Sequence, residues 1–210
     1  MAAIKITGTG KASRPANYTE VTVTVKRTAK TCAEAVEKTD GRVCELFRLI
    51  EEKGFGKDAL KTTDFGVSAE YENERKDGEY IRKFIGFSCR EGLKLCFPFT
   101  AQALSAAVSV LCGEGAEEQV SIAFTVEQSE ALKSEALEKA YADALLQANT
   151  LARASGKKLG KLLTINSGGA EGVPYSATAV VPAALSARSV SVAPEDVGLT
   201  VSVTAEWELE

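Results

Sequence analysis

Apolar and polar residues alternate along several segments of the chain, and this alternation predicts β-strands. In residues 18–27, Val21, Val23 and Val25 fall on one face, while polar residues occupy the other. Residues 4–10 predict another strand, which precedes the strand at 18–27. The C-terminal segment alternates most regularly, and its apolar face consists of Leu199, Val201, Val203, Ala205, Trp207 and Leu209. We therefore expect Trp207 to be a core residue of a central or near-central strand.

Three other segments have helical spacing and recognisable end signals. Thr31 followed by Glu34 forms a capping-box pattern, and Gly54 ends the first predicted helix. Thr100 is expected to cap a short apolar helix that continues to Leu111. Ser129 is expected to cap the longest helix, which reaches about residue 155. The buried stripe of the first helix is predicted to be Val36, Val43, Leu46, Phe47 and Ile50.

The remaining segments complete an α+β pattern. Residues 65–71 and 81–89 alternate as the strands of a hairpin, in which Gly86 and Gly92 are candidate bulge or bend points. Residues 120–128 and 161–169 predict two further strands. The order ββαββαβαββ with half-polar strands predicts a largely antiparallel sheet with helices packed on one face. A single domain over 1–210 is expected; two related βαββ modules, at 1–97 and 113–210, are an alternative interpretation.

Residues 168–196 form a long apolar loop or arm. Pro174, Pro182 and Pro194 prevent a continuous helix, and few of the residues are charged. Because disordered linkers are usually polar, this segment is expected to be buried. It either packs on its own domain or reaches a neighbouring subunit, by strand addition or by covering an apolar patch.

The longest predicted helix carries an alanine at every fourth position. Such a ladder lets another backbone approach closely, either within the domain or at a subunit interface. Its members are Ala136, Ala140, Ala144, Ala148 and Ala152.

Composition then removes several classes of function. The chain has no histidine, which excludes Ser-His-Asp and Cys-His catalysis and histidine-ligated metals. A formal net charge of −4, without a basic stripe, argues against a nucleic-acid partner. No apolar run approaches the roughly 20 residues that span a bilayer. The five cysteines contain no CxxC, and all are interpreted as small buried residues: Cys32, Cys44, Cys89, Cys96 and Cys112.

Two candidate motifs do not predict a site. Gly8-Thr9-Gly10 lacks the third glycine and the following helix of a dinucleotide-binding loop. The clustered carboxylates are interpreted as solvated strand faces, with a cation site or an acid/base pair as the alternative: Glu70, Glu72, Glu74, Glu117, Glu118, Glu206, Glu208 and Glu210. The sequence therefore predicts no catalytic, cofactor-binding or metal-binding residue, and no cofactor.

Several stretches together resemble the SIMPL domain. They are "ITGTG" at 6–10, "LKTTDFGVSAEY" at 60–71, "IGF" at 85–87, the helix running into "LGKLLTI" at 135–165, and "VSVTAEWELE" at 201–210. The sequence departs from the family's usual Pro-Asp at Pro15-Ala16, a difference that concerns only a turn or a surface contact. The resemblance implies an α+β domain found in bacterial envelope proteins, including periplasmic immunogenic proteins and proteins linked to oxidative stress. It implies no catalytic residues.

Two functional hypotheses follow from these observations. The first is a non-enzymatic structural or interaction module that self-assembles, with a homo-oligomer as the expected partner arrangement. The alternative is a small-molecule-binding protein or an enzyme that uses carboxylates and lysine, for which a deep pocket with shifted pKa values would be required. The unpaired cysteines and the N-terminal sequence predict a cytoplasmic location, and a periplasmic or secreted protein lacking its leader is the alternative.

Overall fold

The predicted α+β class and element order are confirmed by a computed structural model, which describes residues 2–76, 79–113, 117–168, 179–181 and 192–210. The described residues form two antiparallel sheets and three helices. The short strand β7 is additional to the predicted order. The elements are β1 (Ala2–Arg14), β2 (Tyr18–Ala29), α1 (Cys32–Glu52), β3 (Leu60–Lys76), β4 (Glu79–Pro98), α2 (Ala101–Leu111), β5 (Gln119–Thr125), α3 (Ser129–Ala154), β6 (Leu159–Ser167), β7 (Ala179–Val181) and β8 (Val197–Leu209).

The chain divides into two compact units, and the first combines residues 1–17, 124–177 and 194–210. Its sheet has the order β1-β8-β6, with α3 packed on β1 and β8. The central strand β8 supplies the core face, and Trp207 is only 2% exposed. The predicted position of this tryptophan, in the core of a central strand, is confirmed.

The glycine pair near the N-terminus lies against the alanine ladder of α3. A Cβ atom built on Gly8 would lie 2.3 Å from the carbonyl oxygen of Ala140, and one on Gly10 would lie 2.0 Å from that of Ala136. The ladder residues are fully or almost fully buried within this unit. Tight packing inside the domain is therefore the role of the ladder, and the subunit-interface alternative is wrong.

The N-terminal ends of the helices agree with the predicted capping residues in two of the three helices. The Thr31 hydroxyl accepts a hydrogen bond from the Glu34 amide at 3.3 Å, and Thr100 caps α2 in the same way. The prediction for α3 was wrong by one residue. Gln128 is the N-cap there and Ser129 is already helical, and no side chain caps this helix.

The second unit comprises residues 18–123 and 178–193. Its sheet has the order β3-β4-β2-β5-β7, and α1 packs on β2 and β4. On α1, Val36 and Phe47 are only half-buried, in contrast to the prediction, and Ala35 and Thr39 are buried instead. The short Thr39 side chain fits there because its hydroxyl donates to the carbonyl oxygen of Ala35 at 2.9 Å.

The hairpin of β3 and β4 is longer than the rest of its sheet. Strand β2 ends at Ala29, opposite Phe87, so the part of β4 that precedes Phe87 pairs with β3 alone. The two predicted bulge points are confirmed, since the register shifts beside both glycines. Gly86 has φ +146°, and a Cβ atom there would lie 2.3 Å from the carbonyl oxygen of Ala29, so only glycine fits.

Most of the predicted apolar arm at 168–196 lies outside the described residues. Its described strand β7 pairs antiparallel with β5, with Val120 opposite Val181 and Ile122 opposite Ala179. The single domain over 1–210 and the two modules at 1–97 and 113–210 stay predictions.

Candidate functional site

The carboxylates that the sequence placed on solvated faces do not all lie there. Glu72, Glu117 and Glu210 are exposed, and Glu70, Glu206 and Glu208 are half-buried; the side chain of Glu74 lies outside the described residues. Glu118 contradicts the prediction, because it is 4% exposed. Nothing in its local sequence distinguishes it from its exposed neighbour.

Two arginines explain the burial of Glu118. Arg27 Nη2 donates to Glu118 Oε1 at 2.8 Å, and Arg42 donates from Nε to Oε1 at 3.0 Å and from Nη2 to Oε2 at 3.2 Å. Burial by itself raises the pKa of Glu118, but the hydrogen bonds from Arg42 and Arg27 outweigh it and hold the pKa below 4.5. Both carboxylate oxygens are thus occupied, and the cluster connects the start of β5 to β2 and α1.

The cysteines do not share one environment. Cys89 and Cys112 are buried and Cys96 is half-buried, whereas Cys32 and Cys44 are exposed on α1. The interpretation of all five as buried residues is wrong for these two, because neither lies on the face of α1 that packs against the sheet. Burial raises the pKa of the Cys96 and Cys112 thiols, and the nearby carboxylates of Glu20 and Glu118, respectively, raise them further.

An open cleft lies beside the Gly86 bulge of the second unit. It has a volume of about 420 Å³ and is lined in part by Lys26, Lys30 and Glu70. Lys26 Nζ binds Glu70 Oε1 at 2.7 Å, and hydrogen bonds from Lys26 and Ser88 lower the pKa of this carboxyl. Lys26 and Glu70 therefore neutralise each other in an ion pair at the protein surface.

Neither a metal-binding cluster nor a membrane-spanning helix occurs in the described ranges. Within them, no group of three or more Cys, Asp or Glu side chains is arranged to hold a metal ion. None of the three helices there combines the length and the hydropathy of a membrane-spanning segment.

In the first unit, the edge strand β6 presents apolar side chains to solvent. Leu162, Leu163 and Ile165 are 43%, 48% and 53% exposed. Leu162 lies opposite Trp207, and Ile165 lies opposite Ala205. The core face of the sheet therefore continues onto β6. Among the described strands only β8 pairs with it.

The opposite edge of the same sheet, at β1, is closed in part by α3. The Thr9 amide donates to Asp143 Oδ2 at 2.9 Å, and Gln147 donates to the same oxygen at 2.9 Å. These hydrogen bonds lower the pKa of Asp143, with the Thr9 amide as the largest cause. A helix side chain thus uses the Thr9 amide that an added strand would need, and β6 is the more accessible edge.

In the second unit, the edge strand β3 also carries exposed apolar side chains. Phe65 is 57% exposed, Tyr71 44% and Phe84, across the hairpin, 47%. The rings of Tyr71 and Phe84 are 5.6 Å apart, and those of Phe84 and Phe87 are 5.2 Å apart, both edge to face. Only β4 pairs with β3 among the described strands.

Comparison with known proteins supports the resemblance seen in the sequence. The sequence model of the SIMPL family, described as a protein of unknown function (DUF541), matches residues 4–207. Comparison with curated proteins finds no match. Because the family model covers nearly the whole chain, the chain belongs to the SIMPL family.

Proposed function

We propose that the chain is a non-enzymatic interaction module that self-assembles through the β6 edge of its first unit. The observation that carries the proposal is a nine-residue edge strand with three exposed apolar side chains. An exposed apolar edge strand is a template for pairing with another chain, and proteins usually protect such edges with charges, proline, bulges or a covering element. Strand β6 has register irregularities on both sides of Leu162 and a regular register from Thr164 to Ser167. Lys161 is the one charged residue in β6.

The sequence of β6 is compatible with antiparallel pairing to a second copy of itself. If two copies meet about a two-fold axis at Thr164, Leu163 lies opposite Ile165 of the other copy. In the same register, Lys161 lies opposite Ser167. No like charges face each other, so no electrostatic penalty opposes this pairing. Each added strand also satisfies backbone groups along the edge.

The estimated energies allow association that is at most weak and reversible. Burying the exposed half of an apolar side chain contributes about 1 kcal/mol, so the three side chains on each of two copies contribute roughly 6 kcal/mol. The loss of translational and rotational freedom on association costs about 4–15 kcal/mol. We therefore expect an oligomer whose mass depends on protein concentration.

The chemistry available in the chain supports a non-enzymatic role. The chain contains no histidine. The shifted carboxyl groups that the structure describes are held in ion pairs or by hydrogen bonds to the protein itself, as with Glu118 and Asp143. The link to envelope or oxidative-stress physiology that the family resemblance implies stays a prediction.

Light scattering tests the proposal with a matched pair of variants. Ile165→Lys places a charge on β6, whereas Ile85→Lys changes a residue of the same type and the same exposure, 53%, in the second unit. The wild-type mass should rise above 22.2 kDa as concentration increases. Ile165→Lys should remove this rise and Ile85→Lys should keep it. A wild type that is monomeric at all concentrations, or an Ile165→Lys variant that still assembles, contradicts the proposal.

A further inference from the structure

The edge strand β3 of the second unit offers a second surface, independent of β6. It is 17 residues long, and in the described part of the chain one of its two sides is unpaired. Extended peptides add to such edges through main-chain hydrogen bonds, and alternate side chains provide specificity. The chemistry of the two faces of β3 then defines which extended segment fits.

One face of β3 is apolar and largely exposed, with the Arg82 guanidinium over the Tyr71 ring at 4.2 Å. Val67 lies opposite the core residue Cys89, so Phe65, Val67 and Tyr71 belong to the face on which α1 packs. Helix α1 packs mainly on β2 and β4, however, and all three side chains on β3 are exposed. A strand added to β3 would therefore place alternate side chains beside these residues, and apolar ones would bury them.

The other face of β3 is acidic. Asp64, Glu70 and Glu72 alternate with the apolar positions. Their basic neighbours lie farther inside the sheet, as with Arg90 at 3.6 Å from Asp64 and Lys26 at 2.7 Å from Glu70. Between Asp64 and Glu72 the β3 charges nearest to an added strand are consequently negative, whereas Lys61 lies on the same face before them; basic side chains opposite the acidic stretch would complement it.

A second copy of β3 fits this edge poorly in the register that pairs its aromatic side chains. The antiparallel register that places Phe65 opposite Tyr71 of another copy also places Asp64 opposite Glu72. Like charges directly opposite each other destabilise a strand pair. The charge pattern therefore favours a different chain over self-pairing at this edge.

We propose that β3 binds an extended segment of a partner protein in which apolar and basic residues alternate, by adding it as a sixth strand to the sheet of the second unit. The apolar residues of the segment cover Phe65, Val67 and Tyr71, and its basic residues face Asp64, Glu70 and Glu72. This partner differs from the second copy that is proposed to bind at β6.

The test uses fluorescently labelled nine-residue peptides with blocked ends and measures fluorescence anisotropy with the full chain. An alternating Val/Lys peptide should bind at least tenfold more tightly than a Ser/Lys peptide of the same charge. It should also bind at least tenfold more tightly than a Val/Glu peptide of the same apolar content. N-methylation of alternate backbone amides should abolish binding, because strand addition requires those hydrogen bonds. Equal binding of the Ser/Lys or the N-methylated peptide, or no binding of the Val/Lys peptide, overturns the proposal.

Variants of the chain locate the binding edge. Phe65→Ser should weaken Val/Lys binding about tenfold, and Val67→Thr, which keeps strand propensity, should weaken it severalfold. Leu146→Ser changes an exposed apolar residue of α3 in the first unit and should leave binding unchanged. Circular dichroism checks that each variant is folded. Unchanged binding by both β3 variants, or a loss of self-association in Phe65→Ser, contradicts the assignment of β3 to a different chain.

Discussion

Replacing Gly8 or Gly10 by alanine should separate β1 from α3. The added Cβ atom would lie 2.3 Å from helix backbone atoms at Gly8 and 2.0 Å at Gly10, whereas ordinary contact begins at 3.4 Å. The strand and the helix must therefore move apart by about 1.1 Å at Gly8 and about 1.4 Å at Gly10. A radial gap of about 0.5–1 Å already removes a quarter to a half of the dispersion energy of the contacts concerned.

The expected loss of stability depends on which atoms the new methyl group contacts. Overpacking a core usually costs about 1–3 kcal/mol, and side chains often relieve it by rotating. Here the opposing atoms belong to the α3 backbone, which cannot rotate away. We therefore expect each substitution to lower the free energy of unfolding of the first unit by about 3 kcal/mol, at the upper end of that range.

Two comparisons separate this mechanism from a general effect of removing glycine. Gly198 lies in the same sheet, and a Cβ atom there would have no neighbour within 4 Å. Gly198→Ala should leave stability unchanged or raise it by up to about 1 kcal/mol, because glycine weakens a strand. Combining Gly8→Ala with Ala144→Gly should not restore stability, since the clash at Gly8 is with backbone atoms.

Urea unfolding followed by tryptophan fluorescence is the appropriate assay. Trp207 is the one tryptophan of the chain and is buried in the first unit, so its emission reports the unfolding of that unit. A loss below about 1 kcal/mol in both Gly8→Ala and Gly10→Ala, or a full rescue by Ala144→Gly, would show that backbone contact between β1 and α3 does not require glycine at these positions.

Three other substitutions or reactions test the cores and the buried charges. Trp207→Ala should destabilise the first unit by about 3–5 kcal/mol, measured by circular dichroism in urea, and a change below about 1 kcal/mol would place the ring outside the core. Glu118→Gln should cost about 3 kcal/mol at pH 7, the low end for a broken buried pair, because both arginines keep some contact with water. Since the pKa of Glu118 is lowered from 4.5, its stabilising effect is complete above pH 4.5 and is lost as the pH falls through the depressed pKa. The difference in stability between Glu118→Gln and the wild type should therefore shrink at that low pH. A difference that stays constant would argue against the ion pair. A thiol reagent should label Cys32 and Cys44 rapidly and the other three cysteines slowly, as counted by mass spectrometry, and five equally fast groups would contradict the described burial.

Local patterns predicted the elements well and the long-range contacts poorly. The alternation in 199–209 identified β8 and its core face, and the spacing of Thr31 and Glu34 identified the start of α1. The sequence could not show that β1 pairs with β8, because their register joins Ile4 to Trp207 across nearly the whole chain. Such pairing depends on tertiary packing, which short windows of sequence do not contain.

The candidate surfaces were only partly visible in the sequence. In β6, Leu162 and Leu163 are adjacent, which interrupts the alternation and could have indicated an apolar strand exposed on one side. The burial of Glu118 had no such signal, because its two arginines are 76 and 91 residues away. Phe65 is exposed because α1 packs mainly on β2 and β4 and leaves β3 open. The position of a helix on a sheet is again a tertiary property that local sequence does not contain.

Amide hydrogen exchange as a function of protein concentration tests the proposed self-assembly at β6 most directly. Protection of alternate amides in residues 161–167 should rise with concentration, in parallel with the mass from light scattering. Amides in α3 provide the internal reference and should not change. A rise in mass without added protection in β6 would place the assembly contact elsewhere and contradict self-assembly through this edge.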